Sequence, residues 1–287
     1  MRKTDGMADI ALVLGSGGVT GSAWETGILH GLAEAGVDLS AADLIIGSSA
    51  GAVVGAQVAS GRLGLPDLYA RQLAGPQGET GGRLGTGTLM RYARAVLTAD
   101  TPEAYGRKLA RMAQTARTGA TAAERRAVIA SRLPSSEWPE RLLRITAVHA
   151  ATGELHTFDK DSGIPLVDAV TASCAVPAVW PVVTIDGQDW IDGGVYSPAN
   201  AHLAAGYERV VVIAPTASGN KVIVPPLSQA TDLEAKGARV AVITPDAAAR
   251  KAFGRNPLDP VRREAAARAG RAQSAAHTAA VAAVLSS

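Results

Sequence analysis

The stretch IIGSSAGAVVGAQVA, residues 45–59, decides the reading of this chain. Aliphatic residues run into Gly47-Ser48-Ser49-Ala50-Gly51, and a small-residue helical pattern follows. A strand that turns directly into a helix calls for glycines on both sides, because the backbone there is crowded and strained. With serine at its centre the pentapeptide has the form G-x-S-x-G, which pushes the Ser49 hydroxyl into the open. A plain structural turn with a serine helix cap uses the same residue types. An oxyanion site and a base elsewhere in the chain would separate the two.

Working outward, Ile10 to Leu14 is a short apolar run ending in glycines, the pattern of a buried parallel strand. Beyond the Gly15–Gly21 loop, residues 23–35 have helical spacing through Trp24, Ile28 and Leu32 and stop at Gly36. Residues 43–46 form the second strand and 50–59 the helix after the serine turn. This β-loop-α-β-turn-α order opens a mostly parallel α/β sheet, and the expected fold is a three-layer αβα domain. From about 61 to 139 the character changes. A glycine-rich loop at 75–87 precedes helical stretches at 88–97, from Thr101-Pro102, and from Thr121, where Glu124 completes a capping box. No strand separates them, so they read as a helical insertion laid over the sheet.

Strands resume at 141–148 and 154–158, a hairpin turned at Thr152-Gly153, followed by a helix at 166–172. A second hairpin, 182–185 with 189–191, turns at Asp186-Gly187. Strands at 209–214 and 239–244 come next, and the alanine-rich 261–285 reads as one long helix with arginines on its polar face.

The 287 residues fit one large domain or two small ones. A formal net charge of +2 gives no signal for nucleic acid. A lone cysteine, Cys174, excludes an intrachain disulfide and suits a reducing compartment. The N-terminus has no apolar signal segment, and no run reaches the ~18–20 apolar residues that span a bilayer. The expectation is a soluble, cytoplasmic protein. No histidine, cysteine or carboxylate spacing suggests a metal.

Gly15-Ser16-Gly17-Gly18-Val19-Thr20-Gly21 sits directly after the first strand, where backbone amides can converge on an anion. A dinucleotide fingerprint would put its third glycine where Thr20 stands. The other chemical reading is an oxyanion hole formed by the amides near Gly17 and Gly18; a structural glycine turn is the plain alternative. Further on, Trp190-Ile191-Asp192-Gly193-Gly194 follows a strand and sets a carboxylate beside two flexible residues. A β-turn explains Asp186-Gly187 better than it explains Asp192. A serine hydroxyl needs a neighbouring base, and Asp192 serves if apolar surroundings raise its pKa. His202 would complete the order Ser49–Asp192–His202 of an α/β-hydrolase triad, or cap a helix on the surface. Cys174 reads as a small buried residue.

Together these pieces resemble the patatin-like phospholipase family, over about residues 9–215. The segment from Ala172-Ser173 through Ala175 and Pro177 to Pro181 is similar to the family's A-S-x-A-x-P-x-x-x-P stretch. The resemblance implies Ser49 as nucleophile and Asp192 as its base, a dyad without histidine, with Gly17 and Gly18 in the oxyanion hole. Gly15, Gly21, Gly47, Gly51, Gly193 and Gly194 support these motifs. It implies hydrolysis of carboxylic esters of lipids through an acyl-enzyme, with no cofactor. Apolar and basic residues alternating in Leu89-Met90-Arg91-Tyr92 and Leu109-Ala110-Arg111-Met112 of the insertion predict a response to lipid interfaces, and with it peripheral membrane contact. The departures are Ser16 and Thr20, which stand where the family's G-G-G-x-R/K-G loop has a glycine and a basic residue, and Val195-Tyr196-Ser197-Pro198-Ala199-Asn200, which matches the family's asparagine-rich run after D-G-G only in part. Residues 216–287 fall outside the pattern and are expected to complete the same domain. A lipid-binding member without turnover, and a Ser-His-Asp esterase using His202, stay open at this level. So does the oligomeric state.

Overall fold

The computed structural model describes residues 10–75 and 81–286. In chain order it contains β1 (Ile10–Leu14), α1 (Gly18–Glu34), β2 (Leu44–Gly47), α2 (Ala50–Ala59), α3 (Leu65–Leu73), α4 (Thr86–Thr98), α5 (Pro102–Thr115) and α6 (Ala122–Arg132). Then come β3 (Leu142–His149), β4 (Leu155–Phe158), α7 (Leu166–Ser173), β5 (Val183–Ile185), β6 (Gln188–Asp192) and β7 (Arg209–Ile213). The chain closes with α8 (Pro226–Glu234), β8 (Arg239–Ile243), α9 (Ala247–Phe253), α10 (Arg263–Ser274) and α11 (Thr278–Leu285).

Strands β3, β2, β1, β7 and β8 lie side by side and parallel. Nearly every residue of β1, β2 and β7 is buried, as continuous apolar runs in a doubly covered parallel sheet should be. Alternate side chains serve opposite faces. Leu12, Leu14, Ile45, Val211 and Ile213 join the cluster with α1, α2 and α7. Ala11, Val13, Ile46, Val210 and Val212 join Leu233 of α8 and the residues around Ala199–Ala204 on the other. The expected three-layer α/β architecture is present.

The pairing of β3 positions the chemistry. Ile145 pairs with both Gly47 of β2 and Phe158 of β4. Ala147 pairs with both Asp192 of β6 and His156 of β4. A strand residue has one neighbour per edge, so β2 and the antiparallel β6 share one edge of β3 and β4 takes the other. The C-terminal ends of β2 and β6 therefore meet head to head, with Thr146 between them.

The structure adds α3, α8 and α9 to the helices expected from sequence, and it corrects the tail. Residues 261–285 are a short 3-10 turn and two helices, α10 and α11, interrupted at Ala275–His277. The break lets each half pack against a different partner. Helix α10 lies against α1, so close that a Cβ on Gly270 would come within 2.3 Å of the Trp24 carbonyl oxygen. Helix α11 covers β7 and β8. Part of the glycine-rich loop expected at 75–87, residues 76–80, lies outside the described residues.

Candidate active site

The turn after β2 has the strain its sequence predicts. Ser49 has φ 53° and ψ −107°, a region that costs a non-glycine residue on the order of 1–3 kcal/mol. Hydrogen bonds on both sides hold it there. Ser48 N donates to the Leu14 carbonyl at 3.0 Å and Gly51 N to the Gly15 carbonyl at 2.9 Å. The Ser49 amide donates to Ser173 Oγ at 2.9 Å, and Cys174 Sγ donates to the Ser49 carbonyl at 3.3 Å. Only glycine fits at position 51, where a Cβ would stand 2.1 Å from the Leu14 carbonyl oxygen. Cys174 is buried, with its thiol pushed up to about 12 by burial and then by the Asp192 charge. It is the inert small residue that the sequence suggested.

Asp192 is the last residue of β6, not a loop residue beyond it. Its amide donates to the Ala175 carbonyl at 3.0 Å, and Oδ1 accepts from Gly194 N at 2.8 Å. Oδ2 is buried and has no hydrogen-bond partner. Burial pushes the carboxyl up to about 7, against the opposing pull of the Ser49 side chain, the Gly194 amide and the Arg125 charge. The Ser49 hydroxyl is thus near enough to be felt by the carboxyl without closing a full hydrogen bond on Oδ2. A hydroxyl and a carboxyl so placed can exchange a proton.

The glycine loop comes down beside this pair. The amides of Ser16, Thr20 and Gly21 are bound to the carbonyls of Pro198, Pro257 and Gly17. Among the described residues no acceptor takes the Gly17 and Gly18 amides. Gly18, with φ 64°, begins α1, so the positive end of that helix adds to both. Thr20 takes a definite role: its amide and its Oγ1 both donate to the Pro257 carbonyl, at 3.0 and 3.3 Å, tying the loop to the C-terminal segment.

Beneath the strand ends lies a buried polar cluster that sequence reasoning did not find. Ser48 Oγ and Thr146 Oγ1 are 2.7 Å apart, and Thr146 Oγ1 also reaches the Gly47 carbonyl at 3.3 Å. Asn200 Nδ2 donates to Ser48 Oγ at 2.9 Å and to the Gly193 carbonyl at 3.1 Å. Asn200 itself has a left-handed backbone, φ 54°, which asparagine tolerates better than most residues. The one sequence signal was its place in the polar run after Gly193-Gly194. Arg125 of α6 was also missed; it is buried, 4.1 Å over the Trp180 ring, and its charge reaches Asp192.

Ser49, Asp192, Gly17 and Gly18 open onto a cavity of about 320 Å³. Its walls are mostly apolar: Leu84, Tyr92, Tyr105 and Leu109 come from the insertion, and Ile223 and Leu258 from beyond it. Tyr92 is anchored by its hydroxyl donating to the Pro177 carbonyl at 2.9 Å. His202 does not line this cavity, and among the described residues no histidine bonds to Ser49 or Asp192. No group of three potential metal ligands occurs among the described residues, and none of their helices is long and apolar enough to cross a membrane.

The family model for patatin-like phospholipases matches residues 12–205, which include Gly17, Gly18, Ser49 and Asp192. No curated protein matches the sequence. Among solved structures the fold is similar to VipD from Legionella pneumophila, with 13% identity, 97% of this chain and 69% of that one covered, and a TM-score of 0.48. It is also similar to the type III effector ExoU, with 16% identity, 95% of this chain covered and a TM-score of 0.40. The chain spans about half of ExoU, 53% of its length.

Proposed function

The chain belongs to the patatin-like phospholipase family, and on that premise we propose that it hydrolyses carboxylic esters of lipids through Ser49 and Asp192. The observation that carries the reading is the unpartnered, buried Oδ2 of Asp192 beside the strained Ser49 turn, at the end of an apolar cavity. An ionised carboxylate there has a free lone pair and little water to compete for it.

In the proposed reaction the acyl chain lies along the apolar walls with its ester carbonyl over Ser49. Ser49 Oγ attacks the carbonyl carbon as Asp192 takes the hydroxyl proton. The negative oxygen of the tetrahedral intermediate accepts hydrogen bonds from the Gly17 and Gly18 amides. The intermediate collapses, the C–O bond to the alcohol breaks, and Asp192 returns its proton to the leaving oxygen. Water then repeats the sequence on the acyl-enzyme: it gives a proton to Asp192, attacks the carbonyl, and releases the carboxylic acid as Ser49 regains its proton. No step needs a cofactor.

Labelling with a fluorophosphonate probe, followed by mapping of the modified residue, tests the assignment directly. The expected site is Ser49, with labelling and ester hydrolysis both abolished in Ser49→Ala. A label on Ser16 or Ser48 would overturn it.

A further inference from the structure

We infer that the rim of the active-site cavity docks onto anionic lipid surfaces, with α4 as its principal contact. The inference rests on the ester-hydrolase reading for its purpose, since it explains how a water-insoluble substrate would reach Ser49.

The observation is where the exposed apolar residues fall. Seven large hydrophobic side chains are exposed among the described residues. Leu142, 49% exposed, starts β3 at the far end of the sheet. The other six lie in three of the segments that supply residues to the cavity wall. Leu89, Met90 and Leu97, at 50%, 67% and 74%, are on α4, which supplies Tyr92 to the wall. Val224 and Leu227 follow the wall residue Ile223, and Val261 follows Leu258. Random exposure of single apolar residues is ordinary, but six of seven falling within a few residues of cavity-wall side chains is not.

Helix α4 has two apolar faces. Tyr92 and Ala95 turn inward, towards the cavity and α5. Leu89, Met90, Ala93 and Leu97 fall within about a hundred degrees of one another on the outer side and are all exposed. The loop carrying Val224 extends this surface, because Lys221 Nζ donates to the Leu97 carbonyl at 2.9 Å. A buried helix explains one apolar face, and a water-facing helix would be polar on the other.

Charge identifies the occupant. Residues 81–99 carry Arg83, Arg91 and Arg94, all exposed, and no carboxylate; the carboxylate that follows, Asp100, is offset by Lys221 Nζ at 3.9 Å. An apolar stripe flanked by arginines matches the boundary between anionic headgroups and acyl chains. A lipid surface also suits the position, since a bound protein would cover the opening, whereas a lipid monomer could pass from the surface into the cavity with its chain shielded from water.

The test uses the full chain carrying Ser49→Ala, so that binding is measured without turnover, in sedimentation with phosphatidylcholine vesicles and with mixed phosphatidylcholine–phosphatidylglycerol vesicles. The expected result is binding to the mixed vesicles that weakens with added salt and on phosphatidylcholine alone. Leu89→Ser/Met90→Ser/Leu97→Ser should lower partitioning about tenfold or more, and Arg91→Gln/Arg94→Gln should remove the preference for anionic lipid. In the Ser49 background both variants should keep wild-type fluorophosphonate labelling, which shows that they fold. No vesicle binding, or binding unchanged in both variants, overturns the inference. So does self-association that the triple substitution abolishes, which would make this face a contact between copies. Vesicle binding that follows these expectations, in a chain that neither labels nor cleaves esters, would leave the docking surface standing and remove the hydrolase reading.

Discussion

Ser49 stands two residues beyond the end of β2, Asp192 closes β6, and the two strand ends meet on one edge of β3. The proposed base is thus fixed by a sheet ladder and the proposed nucleophile by a strained turn, so neither depends on a mobile loop. Sites set on strands hold their geometry better than sites on loops, because the ladder restrains the backbone on which each side chain sits.

This relationship separates a dyad from a triad by mutation. Asp192→Asn should reduce ester hydrolysis by about a thousandfold or more, the scale of losing a member of the catalytic unit. His202→Ala should retain most activity, since His202 is outside the cavity. Steady-state rates on a soluble short-chain ester decide it; equal collapse in both variants would reject the dyad.

The same substitution should stabilise the protein at alkaline pH. Asp192 has its carboxyl raised from 3.8 to about 7 by burial, so between those values the folded chain holds a proton that the unfolded chain has released. Stability therefore falls as pH rises through this window, and the penalty is full above it. At pH 8, Asp192→Asn should gain about 1–4 kcal/mol, the upper end being three pH units at 1.36 kcal/mol each. At pH 4 the gain should vanish. Urea unfolding at the two pH values measures the difference.

Activity should follow the opposite limb. A base must be unprotonated, so kcat/KM and the rate of fluorophosphonate labelling should rise through about pH 7 with the titration of Asp192. A rate that is flat from pH 5 to 8 would mean that another group takes the proton.

The buried cluster under the strand ends should carry both stability and rate. Asn200→Ala removes the donor shared by Ser48 Oγ and the Gly193 carbonyl and leaves both acceptors buried. The expected cost is about 1–3 kcal/mol, together with slower labelling of Ser49, because Ser48 and Gly193 adjoin Ser49 and Asp192. Thermal unfolding and labelling kinetics measured on one preparation would test the coupling.

Leu109→Trp would place an indole ring in the cavity wall, where Leu109 is 1% exposed. Hydrolysis of long-chain esters should fall relative to short-chain ones, at a stability cost of about 1–3 kcal/mol for overpacking. An unchanged chain-length profile would place the acyl chain elsewhere.

What the sequence determined by itself was whatever local backbone chemistry dictates. Short apolar runs ending in glycine, flanked by helical patterns, read as buried parallel strands, and Gly47 and Gly51 around Ser49 reflect contacts with immediate neighbours and the adjacent strand. Asp186-Gly187 and Thr152-Gly153 gave the hairpins for the same reason, a turn that needs a left-handed residue. The tertiary structure decided everything that depends on partners far along the chain. Thr146 and Asn200 meet Ser48 across 98 and 152 residues, and no periodicity encodes such a meeting. The Asp192 carboxyl is raised because the fold closes over it, and Thr20 becomes a tether only when Pro257 arrives 237 residues later. The alanine-rich tail shows the division most plainly. Its composition favours one continuous helix, yet packing on α1 and on β7 and β8 favours two, and the burial gained on both surfaces outweighs the few helical hydrogen bonds lost at the break.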